Sequence, residues 1–245
     1  MEGKINTQEN QPSTRRTLRA IFCAVGLMQF GPLILSPLKE IAISGTMAFL
    51  AIEVAISERF AILSNWAWIF LQTFFVILFA LLVAPAQPLS KSYHFLKWLV
   101  SAIVFGVLTG FASSILLAFI QRFMGKDFGA STMKHDIWAS GRLDYLLLSL
   151  VIVTLLSGSI LEEYVFRNLL FHWLGPVRVF SSAVISLLSW AFLHGINGQI
   201  GHVLVIIPSG IVYVVLRIIS KSWKISAAAH ASANLTALWI DVFLA

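Results

Sequence analysis

At 245 residues, 58% hydrophobic and only 11% charged, with a mean hydropathy of +0.87, the chain is too poor in charge to cover a water-facing surface, for which about 25% is usual. A soluble fold is excluded, and the solvent for most of the chain is lipid. The single cysteine, Cys23, excludes an internal disulfide framework and a Cys-built zinc site. The formal net charge of +6 is spread over short basic gaps between apolar stretches, which suits anionic headgroups and not nucleic acid.

Residues 1–16 are polar throughout and read as a disordered tail. Arg15, Arg16 and Arg19 then precede a first apolar segment at about 18–36. A basic group before an apolar stretch is similar to a signal peptide, but no small-residue cleavage site follows, so a retained span is expected. Further apolar segments fall at about 41–57, 61–84, 96–120, 144–171, 178–194, 202–219 and 225–244. Helices satisfy their own backbone groups in lipid, so all eight are expected to be helical. The fold class is thus an all-α polytopic transmembrane bundle of about eight spans, or seven if 41–57, which is short and holds Glu53, is re-entrant. The loop 121–143, with its mixed charges, is expected to be an interfacial surface. The division expected is a tail at 1–16, helices and loop at 17–142, and a chemistry-bearing half at 143–245. With a cytoplasmic N-terminus and all eight segments spanning, basic residues divide almost evenly between the two sides and only the Arg15/Arg16/Arg19 cluster favours that orientation; if 41–57 does not span, the basic count itself favours it.

The chemistry is concentrated in the second half. Charged side chains within spans cost roughly 2.5–3.5 kcal/mol each on insertion scales, so they need a reason. Glu162, Glu163 and Arg167 lie within six residues of one apolar segment. Glu163 and Arg167, four apart, sit about 40° around a helix and can pair. Glu162 and Arg167, five apart, sit about 140° around and face different ways. Glu162 is left for another task and suits a general base. His194 ends the next apolar segment, one turn after Trp190, and His230 and Asn234 share a face of the last one among small residues. Each has a bland reading: an ion cluster at a helix end for Glu163 with Arg167, a structural histidine at 194, and an interhelical hydrogen-bonding pair at 230 and 234. One shared polar cavity would serve all of them together. There, Glu162 and His194 could deprotonate a water for attack on a carbonyl, and His230 and Asn234 could donate to the oxyanion.

Glu162-Glu163-Tyr164-Val165-Phe166-Arg167, Trp190-x-x-x-His194 and His230-Ala231-Ser232-Ala233-Asn234, in that order on successive helices, resemble the CPBP family (also called Abi or CAAX-protease-like), which includes the type II CAAX prenyl endopeptidases. Trp190 departs from the pattern, standing where the family has Phe. The resemblance covers about 143–240. It implies a multi-pass intramembrane endopeptidase, a hydrolase of the glutamate type. Glu162, His194, His230 and Asn234 would be catalytic and Glu163, Arg167 and Trp190 supporting. Glu162, His194 and His230 are also a possible zinc set, but the expected chemistry is free of metal and cofactor. The implied partners are the lipid bilayer and a membrane-anchored peptide or protein: prenylated, carrying a sorting tail, or of bacteriocin type. The implied location is the bacterial inner (plasma) membrane. The competing reading is a non-catalytic scaffold or bacteriocin self-immunity protein that sequesters a partner. A proton relay is weakened by the lack of broken helices or inverted halves, and a serine protease at Ser157-Gly158-Ser159 by the lack of a matching motif.

Overall fold

The structure, a computed structural model, describes residues 62–63, 66–67, 69–71, 73–74, 95–124, 137–138, 143–174, 179–196 and 200–244. The tail at 1–16 and the expected spans at 18–36 and 41–57 lie outside these residues, and 61–84 is included only in part. Every regular element among the described residues is helical, so the chain is an all-α membrane helix bundle.

Six helices carry the described fold: α1 (Phe95–Met124), α2 (Tyr145–Glu163), α3 (Leu170–Leu174), α4 (Val179–Ile196), α5 (Ile200–Ser220) and α6 (Trp223–Phe243). A π-helical segment, Tyr164–Leu169, joins α2 to α3 without a break. Among the described residues three stretches are long and apolar enough to cross a bilayer: Phe95–Phe123, Tyr145–His172 and Val203–Ser220. Val179–Gly195 is apolar but shorter, although 178–194 was expected to span. α6 has the length, with 21 residues, but Lys224, His230, Asn234 and Asp241 dilute its apolar character. It is polar because it faces the site. Large apolar side chains such as Leu96, Ile115, Phe123 and Phe180 point outward and are 70–81% exposed, as expected where the surroundings are acyl chains.

Asp144 sets the start of α2. Its carboxylate accepts from the backbone N–H groups of Leu146 and Leu147, each at 3.1 Å, which satisfies two of the donors a helix start leaves unpaired. The preceding loop is not wholly a surface. Ile137 is fully buried with Leu147, Val151, Leu238 and Val242, and the Trp138 indole donates to the Val242 carbonyl at 3.0 Å. These two loop residues fasten the start of α2 to the end of α6.

The most extensive helix contact is between α1 and α6, and glycine makes it possible. A Cβ on Gly106 would overlap the Ala229 carbonyl oxygen. One on Gly110 would stand 2.6 Å from the Ala233 carbonyl oxygen. Two glycines four apart on α1 therefore meet small residues four apart on α6, and the backbones close on each other. His230 and Asn234 each directly follow one of those alanines. The contact sets the depth of the α6 polar groups in the bundle. A second tight point is Gly210 of α5, whose Cβ would lie 2.6 Å from both Leu187 Cδ1 and Trp190 Cζ3 of α4.

Candidate active site

The site is built where α2, the π-helical segment, α4 and α6 meet. All six residues of Tyr164–Leu169 are buried, so this stretch has no outer face. The Leu170 N–H bonds back to Val165, five residues earlier, and so leaves the Phe166 carbonyl without its ordinary helical donor. The Ser186 hydroxyl of α4 donates to that carbonyl at 2.9 Å. Arg217 Nε of α5 donates to the next carbonyl, that of Arg167, at 2.8 Å. Side chains from two neighbours thus stabilise the wider turn, a feature that recurs at functional sites.

Glu163 lies at the bottom of the site and is fully buried, as is Arg167. The Arg167 Nη1 to Glu163 Oε1 distance is 3.4 Å. The guanidinium carbon lies 4.8 Å from the centre of the Trp190 ring, a cation–π arrangement. The Arg167 nitrogens find no hydrogen-bond acceptor among the described residues, so ion pairing and the indole face hold the charge. The other Glu163 oxygen, Oε2, accepts from the Ser226 hydroxyl. His230 Nδ1 lies 3.1 Å from Glu163 Oε1. An ionised carboxylate only accepts, so Nδ1 carries the proton and Nε2 turns toward Glu162.

α2 and α6 are joined by two rungs. His230 meets Glu163, and Asn234 Nδ2 donates to the Ser159 hydroxyl at 3.0 Å. Both rungs are four residues apart on each helix and run in opposite senses, so the helices pair antiparallel, one turn between rungs. Tyr213 stacks on His230 at 4.6 Å between ring centres and 18° between planes, fixing the imidazole from α5.

Glu162 is the accessible acid. Its side chain is 19% exposed, against 0% for Glu163. Its Oε2 stands 4.0 Å from His194 Nε2 and 4.0 Å from His230 Nε2. His194 Nδ1 lies 2.9 Å from the Trp190 carbonyl. A carbonyl only accepts, so this nitrogen carries the proton, and Nε2 is the nitrogen that faces Glu162. The Trp190 indole N–H donates to Glu162 Oε2 at 2.5 Å.

The structure therefore brings Glu162, His194 and His230 around one carboxylate oxygen. It sets Glu163 and Arg167 beneath them and Asn234 one turn from His230, bonded to Ser159. Sequence reasoning passed over Ser226 and Tyr213, and it weighed Ser159 only as part of a serine-protease motif and not as a partner of Asn234. The two serines were open to discovery by register, since Ser159 lies one turn before Glu163 and Ser226 one turn before His230. Tyr213 has no such signal. Trp190 was expected to support the site in place of the family's Phe, and the structure gives it a hydrogen bond to Glu162 that Phe cannot make.

The possible zinc set is spaced more widely here than a bound zinc would hold it. Tetrahedral zinc with His and carboxylate ligands brings donor atoms to about 3.4 Å of one another. Here Glu162 Oε2 is 4.0 Å from each imidazole nitrogen. Among the described residues no three His, Cys, Asp or Glu side chains are placed to hold a metal ion.

Fold and site together define the class: an all-α integral membrane protein with a buried acid–histidine cluster between its helices. Residues 144–236 match the Rce1-like family, described as type II CAAX prenyl endopeptidase Rce1-like, a family of proteases and the one its three motifs resemble. The matched stretch holds every site residue named above. No curated protein and no solved structure matches the chain.

Proposed function

We propose that the chain is a metal-free intramembrane endopeptidase that hydrolyses a peptide bond in a membrane-anchored substrate of prenylated, sorting-tail or bacteriocin type. The observation that carries this reading is the pair of proton acceptors 4.0 Å apart, Glu162 Oε2 and His194 Nε2. A water donating one proton to each of two acceptors holds them about 4.3 Å apart. Two acceptors at that spacing aim the water's lone pair away from themselves and toward a carbonyl carbon.

The attack forms a C–O bond as the carbonyl π pair moves onto oxygen, and a water proton passes to Glu162. His230, through an N–H at Nε2, and the second N–H of the Asn234 amide donate to the oxyanion. Collapse breaks the C–N bond, and the acquired proton leaves with the amine. Glu163, paired with Arg167, takes the His230 Nδ1–H and so keeps Nε2 turned toward the site. A bacterial plasma membrane is the proposed location.

The test uses the full chain in liposomes with a quenched fluorescent farnesylated CAAX peptide and its unprenylated counterpart. Cleavage by the wild type is expected, together with loss of turnover by about 10³-fold or more in Glu162→Gln. Chelation by phenanthroline is expected to change nothing. Turnover in a folded Glu162→Gln protein defeats the reading, and loss on chelation defeats its metal-free part.

A further inference from the structure

We infer that Trp190 is a positioning residue for Glu162, acting through its indole N–H, and that Gly210 is the residue that makes room for it. The inference rests on the reading of Glu162 as the group that activates water.

The indole is enclosed by several named contacts. Arg167 lies over one ring face at 4.8 Å. His194 and His230 meet it edge-on, with centroids at 4.8 Å and 5.8 Å and interplanar angles of 63° and 88°. Tyr213 meets it edge-on at 6.3 Å. The outer edge of its six-membered ring, Cζ3 and Cε3, occupies the space that a Cβ at position 210 would take, at 2.6 Å and 3.0 Å. Trp190 is 2% exposed. A ring so enclosed cannot swing, and its only donor is directed onto Glu162 Oε2.

The same residue orients the second acceptor. The backbone carbonyl of Trp190 takes the His194 Nδ1 proton. Glu162 by the side chain and His194 by the main chain are therefore both referenced to one buried residue. A carboxylate with one lone pair held by a fixed donor no longer rotates freely, and its remaining lone pair keeps one direction toward the water. Among the described residues, the groups facing Glu162 are Trp190 and His194 from α4 and His230 from α6, with Arg167 behind the indole. Among them, Trp190 makes the one direct hydrogen bond to that oxygen. Phenylalanine at 190 has no N–H and cannot play this part, and any larger residue at 210 would displace the ring that does.

The test replaces Trp190 with β-(3-benzothienyl)alanine, which keeps the shape and lacks the N–H. With the farnesylated reporter in liposomes, kcat is expected to fall about tenfold or more at unchanged KM, the signature of lost alignment and not of lost binding. Gly210→Ala is expected to cost turnover in the wild type and clearly less when Trp190→Phe is already present, because the smaller ring leaves only the flexible end of Leu187 in that space. A second readout needs no substrate. In protein labelled with ¹⁵N on its indoles, the Trp190 Nε1–H resonance, identified by its absence from Trp190→Phe, is expected to move in Glu162→Ala and to stay in place in Asn234→Ala. Wild-type kcat in the benzothienyl protein, additive losses in the double variant, or a resonance indifferent to Glu162→Ala would each overturn the inference. Glu162→Gln runs alongside. Turnover there defeats the reading beneath, whereas a silent Glu162→Gln with an unimpaired benzothienyl enzyme defeats the role of Trp190 alone.

Discussion

Adjacent glutamates in this protein do different things because a helix turns them 100° apart. Glu163 is sealed at 0% exposure among Arg167, Ser226 and His230, while Glu162 reaches the accessible side of the cluster. The buried one must stay paired, since a carboxylate deprived of its partners in a low-dielectric interior costs several kcal/mol. Glu163→Ala is therefore expected to lower both activity and thermal stability in detergent, whereas Glu162→Gln lowers activity alone; a Glu163→Ala protein with wild-type melting would contradict the assignment. Asn234 tests the other half of the chemistry. If its free N–H stabilises the oxyanion, Asn234→Ala costs about 10²–10³ in kcat with little change in KM. A rise in KM at constant kcat would instead make it a binding group.

Helix contacts set where those residues stand. The α1–α6 contact depends on Gly106 and Gly110, opposite the alanines that precede His230 and Asn234. Gly106→Leu is expected to push α6 outward and abolish cleavage even though α1 carries none of the named catalytic groups. Cross-linking between cysteines placed on α1 and α6 would report the displacement, and an unchanged cross-link with full activity would refute it. The α5–α6 turn offers the opposite kind of change. Lys221 sits there at φ 56°, the left-handed region in which a side chain is strained. Lys221→Gly relieves the strain and is expected to stabilise the protein by about 1 kcal/mol, seen as a higher melting temperature. The π-helical segment works the same way at shorter range. It turns Phe166 and Arg167 carbonyls toward Ser186 and Arg217, tying α2 to α4 and α5 around the acid pair.

At the scale of the whole molecule, the matched family stretch, 144–236, packs against a helix that lies outside it. α1 lies outside it yet packs along the helix that presents His230 and Asn234, and the Ser113 and Ser209 hydroxyls join α1 to α5 at 2.8 Å. A fragment beginning at Leu143 is expected to lack activity, and co-expression of residues 1–142 is expected to restore it. Activity in the isolated fragment would show that α1 is dispensable. The enzyme is thus proposed as a frame of lipid-facing helices around a small polar interior, in which the histidines and acids come from three separate stretches of chain.

What was legible in advance follows from the cost of polarity in lipid. Sparse charge marked the chain as a membrane bundle, and the few ionisable groups within apolar segments marked Glu162, His194 and His230, because each needs a partner there. Helical spacing alone anticipated that Glu163 could meet Arg167 and that His230 and Asn234 would share a face. The partners across helices were beyond its reach. That His230 bonds Glu163, that Trp190 donates to Glu162, and that Gly210 clears the space for the indole all depend on how helices distant in sequence are rotated and how deeply they interlock. Periodicity within one segment carries no information on those two quantities; packing between segments decides them.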